Sequence, residues 1–136
     1  MGDIKDCYQG SCYKVVHCKG ALDSLDDAMR SLRDKKAKSM LRQLILQIER
    51  LVSGARMAQG TVRKEGDLPS YQGRPAKNFW ALKRIPIRGY FWDSEKNEQT
   101  YYISHYIYKD FDELHQSDVL KVHNNWHRIE GGHDEN

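Results

Sequence analysis

Four side chains suited to a polyanion lie in one stretch of this chain: Arg84, Arg88, His105 and Lys109. Arginine presents parallel N–H donors to phosphate oxygens and keeps its charge at any working pH. Lysine adds a compact charge, and histidine titrates near neutrality, where it can take or return a proton. Each has a plainer reading. A single histidine in a strand is more often a half-buried structural residue, and Arg84 and Arg88 could pair with acids of a C-terminal helix, such as Asp118.

Strands are expected to position these groups. Residues 78–110 hold two of the three tryptophans and five of the eight tyrosines, and aromatic, β-branched density of this kind favours strands. Phe79–Ile85, Arg88–Trp92 and Thr100–Tyr108 read as a three-stranded antiparallel meander. Pro86, which has no N–H, marks the first turn, and the polar residues 93–98 form the second. The four groups then fall at or near strand ends. Trp80, Phe91, Trp92 and Trp126 are expected in the core. At least one of Tyr101, Tyr102 and Tyr106 must face outward, since side chains alternate across the pleat.

Upstream, Cys12–Lys19 reads as a first strand. Leu22, Leu25, Met29 and Leu32 make one helical stripe, with Ser24 and Asp27 in a capping-box relation. Met40, Leu41, Leu44, Ile45, Ile48, Leu51 and Val52 make a second stripe that stops at Gly54. Residues 55–77 read as a long basic loop. Asp118–Ile129 fits a last helix capped by Ser117. The expectation is a single α+β domain over residues 1–136, ordered β-α-α-β-β-β-α, with a loose start (1–11) and a polar tail (130–136).

Net charge is only +3, yet residues 30–88 carry 15 Lys/Arg against 4 Asp/Glu. A solvated helix face explains part of that excess. The rest continues through Arg63, Lys64, Arg74, Lys77 and Lys83, which favours a nucleic-acid partner. Cys7, Cys12 and Cys18 are odd in number and lack a Cys-x-x-Cys spacing, so neither a disulfide framework nor a zinc site with His17 is expected. His123 and His127 share a helix face without a third ligand, and no metal or cofactor is assigned there. With no apolar run of membrane length and no opening signal stretch, a cytoplasmic protein away from membranes is expected.

The order of these elements resembles the RelE/HigB-like toxins of type II toxin–antitoxin systems. In that family a strand bearing tryptophan ends in Arg, a short turn leads to a second Arg, and a third strand ends in a His-Gly-Phe-x-Lys-Lys run before a last helix. The matching residues are Phe79-Trp80-Ala81-Leu82-Lys83-Arg84, then Ile85–Trp92, then Ile103-Ser104-His105-Tyr106-Ile107-Tyr108-Lys109-Asp110, within a likeness covering about residues 12–129. The resemblance implies an mRNA endoribonuclease acting on ribosome-bound mRNA without metal. The ribose 2′-hydroxyl attacks the adjacent phosphate. Arg88 would be the main clamp, Arg84 and Lys109 would assist, His105 would move the proton, and Tyr108 or Tyr90 would position or stack. Losing one clamp would cost on the order of 3 kcal/mol of barrier. Arg63, Lys64, Arg74, Lys77, Lys83 and Tyr90 would bind RNA, and a cognate antitoxin, a helix-turn-helix protein, would be the partner. A ParE-like poison that binds DNA gyrase, or a non-catalytic RNA-binding module, are the alternatives.

Overall fold

A computed structural model describes residues 4–70, 76–109 and 114–131. The order is β1 (Cys7–Gln9), β2 (Lys14–His17), α1 (Ala21–Met29), α2 (Asp34–Val52), β3 (Val62–Asp67), β4 (Asn78–Arg84), β5 (Ile87–Asp93), β6 (Thr100–Tyr108) and α3 (Gln116–Glu130). This is an α+β chain with one mixed sheet, in spatial order β1-β2-β6-β5-β4-β3. The β4–β5–β6 meander sits at its centre as expected. Every neighbouring pair is antiparallel except β2 and β6, where Lys14 to His17 run parallel to Thr100 to Ile103.

Helix periodicity selects what each helix buries. In α2 the buried side chains are Met40, Leu41, Leu44, Ile48 and Val52, at three- and four-residue steps. Fully covering such a side chain is worth about 1.5–3 kcal/mol. The helix ends at Val52, and Gly54 adopts φ 75°, the left-handed conformation that closes a helix at little cost in glycine. Ser24 does not cap α1. Its hydroxyl lies within the helix, donates to the Ala21 carbonyl at 2.5 Å and accepts the Tyr106 amide at 2.9 Å, tying α1 to β6. Nor does Ser117 cap α3, whose N-cap is His115.

Helices lie on both faces of the sheet. One face, with Val15, Leu82, Ile87, Phe91, Ile103 and Tyr106, packs on α1 and α2. The other, with Phe79, Ala81, Tyr90, Trp92 and Tyr102, packs on Val122, Trp126 and Ile129 of α3. Burial on both sides explains why β5 is covered from Ile87 to Trp92 without alternation.

Three segments depart from expectation. Residues 7–9 are not loose but form β1 on β2. The loop 55–77 contains β3 at the sheet edge. Glu130 belongs to α3 rather than to a tail: it is buried, and its carboxylate accepts the amides of Glu95 (2.8 Å) and Lys96 (2.9 Å) and the Ser94 hydroxyl (2.8 Å). Among the described residues, no helix is long and apolar enough to cross a membrane.

Candidate functional site

The β4–β5 turn decides which arginine goes where. Ile85 and Pro86 are its two central residues, so Arg84 pairs with Ile87 and Lys83 with Arg88. Paired residues share a face and neighbours alternate. Arg84 therefore lies on the face of α1 and α2, and Arg88 on the face of α3. Arg84 is exposed, and its Nε donates to Gln43 Oε1 of α2. The four expected groups do not share one site.

Three of them do share a face. Tyr90 pairs with His105 and Arg88 with Ile107, so Arg88 and His105 project toward α3. Lys109 follows with the parity of His105 and Ile107, its amide donating to the Pro86 carbonyl at 2.6 Å. A β-bulge makes this possible. Phe91 pairs with Ile103 and Tyr90 with His105, leaving Ser104 as an extra residue. Counted from the β5–β6 loop, regular alternation would have placed His105 under α1 with Ile103. A second bulge, at Glu65 in β3, adds a carboxylate on the α3 side, 4.0 Å from the Arg88 guanidinium.

The cluster is closed. Arg88, His105 and Lys109 are only 1, 4 and 2% exposed. His105 Nε2 lies 2.9 Å from Asp118 Oδ1, and Ser104 Oγ lies 2.8 Å from His105 Nδ1. Asn125 Nδ2 donates to Ser104 Oγ at 2.8 Å. Nε2–H donates to Asp118, and Nδ1 is engaged by Ser104, whose Oγ also accepts from Asn125. Both ring nitrogens are then occupied. Burial pushes the Asp118 carboxyl upward, but the hydrogen bond from His105, with His105, Lys121 and His115 charges, outweighs it and holds the group below its ordinary value. Ser104, His105 and Asp118 form a chain like that of a serine hydrolase, but the serine is 1% exposed and is itself held by Asn125, so it offers no accessible nucleophile.

The remaining expected residues scatter. Tyr90 is fully buried, its ring centroid 5.3 Å from that of His105, so it offers no stacking surface for a base. Burial raises its phenol pKa, and the Asp118 and Glu65 charges add to the rise. Tyr108 is 44% exposed but pairs with Ile87, which places it on the opposite face from His105. Arg63 and Lys64 are exposed on successive, opposite-facing positions of β3. Lys77 is exposed and pairs with Glu95 at 2.5 Å. Lys83 is partly covered at the end of β4, and Arg74 lies outside the described residues.

The cysteines are free, Cys7 and Cys12 exposed and Cys18 buried. His17 cannot ligate from its present position: Nδ1 contacts the Lys5 carbonyl and Nε2 the Tyr106 hydroxyl, each at 2.8 Å. Among the described residues, no three His, Cys, Asp or Glu side chains converge as a metal site would require. Sequence reasoning offered Asp118 only as a partner for the arginines, and it missed Glu65, Ser104 and Asn125. Arg84 and Arg88 carried a usable signal, since a two-residue turn puts residues four apart across it on opposite faces.

No family model, curated protein or solved structure matches this chain.

Proposed function

We propose that this chain is a RelE/HigB-like toxin that cleaves mRNA at the α3 face of its sheet. The observation that carries the reading is the convergence of Arg88, His105 and Lys109 on that face, next to one another in the register of β5 and β6. The conformation described is then the closed one. When the N-terminal end of α3 lifts, Asp118 leaves with it and His105 Nε2 is released. With its Nε2 proton no longer fixed on Asp118, the imidazole can take up the tautomer that accepts the 2′-hydroxyl proton. The 2′ oxygen bonds to phosphorus, the P–O5′ bond breaks, and the 5′ oxygen takes a proton from the imidazolium. Products are a 2′,3′-cyclic phosphate and a 5′-hydroxyl. Arg88 and Lys109 hold the charge that develops on the phosphorane. In this reading Arg84 has no part in the chemistry. An antitoxin, ribosome-bound mRNA and a cytoplasmic setting belong to the same proposal.

The test is incubation of the purified protein with mRNA, with and without translating ribosomes and with EDTA, followed by end analysis. Cleavage leaving cyclic phosphate ends, lost in His105→Ala at unchanged circular dichroism, supports the reading. Intact mRNA under both conditions refutes it.

A second reading draws on the occupied ring nitrogens of His105 and the burial of Arg88 and Lys109 beside it. If the cluster never opens, it is a structural network, and the chain acts by binding, as a gyrase poison or an RNA-binding module. Toxicity that survives substitution of Arg88, His105 and Lys109 together would favour it.

A further inference from the structure

On the sheet face away from His105, α2 carries a second, polar stripe. Lys36, Ser39, Gln43, Gln47 and Arg50 recur at three- and four-residue steps, beside the apolar stripe that packs on the sheet. This polar stripe forms one wall of two adjoining cavities of about 510 and 240 Å³. The other wall is residues 57–61 and the end of β4. Gln43, Thr61 and Arg84 line both cavities, so the two are one continuous groove. Arg84 is fixed at its middle by the hydrogen bond to Gln43.

From these features we infer that the groove binds single-stranded nucleic acid, independently of any cleavage at the α3 face. Lys36, Arg84 and Arg50 place cations at its two ends and centre, over about 21 Å of helix, while Lys83, which also borders the larger cavity, pairs with Arg88 and projects to the other face of the sheet. Among the described lining residues there is no carboxylate. A concave wall of one sign focuses the field on a polyanion. The spaces between the cations suit bases better than further phosphates. Gln59 supplies an amide that both donates and accepts, as base edges require, whereas the Gln43 amide is held between Ser39 and Arg84. Leu46 and Ile85, 55 and 53% exposed, and Met57 supply apolar surface for base faces. A lone phosphate or mononucleotide would use one cation and leave most of the groove empty.

Fluorescence anisotropy of a labelled single-stranded RNA with the full chain tests this. Three phosphate contacts predict a slope of log K against log salt of about −2. In Lys36→Glu/Arg50→Glu, one contact remains, so the slope falls to about −0.7 and affinity at low salt drops about tenfold or more. Both positions are exposed on α2, and unchanged helicity and melting temperature certify the fold. Wild-type-like binding in the double variant, or no binding by the wild type, overturns the inference. So does displacement by a mononucleotide or by polyglutamate as effective as by unlabelled RNA, which would assign the groove to a small phosphate ligand or an acidic peptide. Binding of DNA of the same sequence supports it equally. If the α3-face chemistry is wrong and the groove right, RNA stays whole while its binding still depends on Lys36 and Arg50.

Discussion

Replacing Asp118 by alanine should loosen one end of α3 and leave the other in place. The carboxylate is the third residue of the helix, accepts a 2.9 Å hydrogen bond from His105 and is 6% exposed. A hydrogen bond to a charged group contributes about 1.5–3 kcal/mol net. A carboxylate in the first turn adds about 0.3–1 kcal/mol through the helix dipole. Together these give a loss of about 2–4 kcal/mol, or a fall in melting temperature of about 8–16 °C for a chain of this size. Thermal melts followed by circular dichroism measure the first quantity. Amide exchange locates it, with faster exchange in the first turns of α3 and unchanged protection in the last turn, where Glu130 is held by four donors, from Trp92, Ser94, Glu95 and Lys96. Asp118→Asn keeps an acceptor for Nε2–H and should recover more than half of the loss. A melting temperature within about 2 °C of wild type for Asp118→Ala, or exchange that rises equally along α3, would refute the two-clamp account.

Glu130→Ala should cost more, about 3–5 kcal/mol, because it strands two loop amides, a buried serine hydroxyl and the Trp92 indole N–H; denaturant unfolding checks this. Gly89→Ala brings a Cβ to 2.7 Å from the Tyr106 ring, and the overpacking should cost about 1–3 kcal/mol with rearranged near-ultraviolet dichroism. Stability should fall in two acid steps. The His17 imidazole is buried, which lowers its pKa despite compensating backbone contacts from Lys5. Its neutral form therefore favours the fold above the unfolded value near pH 6.5, and this contribution fades as pH drops below it. The Asp118 carboxyl is depressed, so its contribution is present above about pH 4 and is lost as pH falls through its folded value. His17→Gln should remove the first step and Asp118→Ala the second in melts run against pH. On the proposed chemistry and groove, Arg88→Ala should abolish RNA cleavage, while Arg84→Ala should spare it and weaken strand binding, as read by end analysis and anisotropy on the same preparations.

Legibility in the sequence followed physical rules rather than position. The meander and both helical stripes were readable because their apolar residues repeat with the period of the element. β3 was not, since Val-Arg-Lys-Glu-Gly-Asp has one apolar residue, and polar edge strands of this kind carry little pattern. β1 offers only Tyr8 to the core. Glu65, Asp118 and Glu130 look like surface charges in one dimension. Their burial depends on partners far along the chain or on a bulge that no local signal announces. His105 shows the limit most clearly, because one extra residue at Ser104 decides which layer it enters. Arg84 was misplaced for the opposite reason: the turn that sends it away was recognised, but its parity was not applied.

The parallel seam between β2 and β6 also dictates when this molecule can be completed. Residues 14–17 hydrogen-bond to residues 100–103, so about three-quarters of the polypeptide must leave the ribosome before that seam can close. Until then the helical pair has no finished sheet to lie on, and its leucine and isoleucine stripe stays open to solvent or to a chaperone. Pairings this distant in sequence slow the search for the native state. A translation pause placed once residue 108 has emerged from the ribosome would give the seam time to form, whereas one placed before residue 100 has emerged would prolong the interval in which the nascent chain is prone to aggregate.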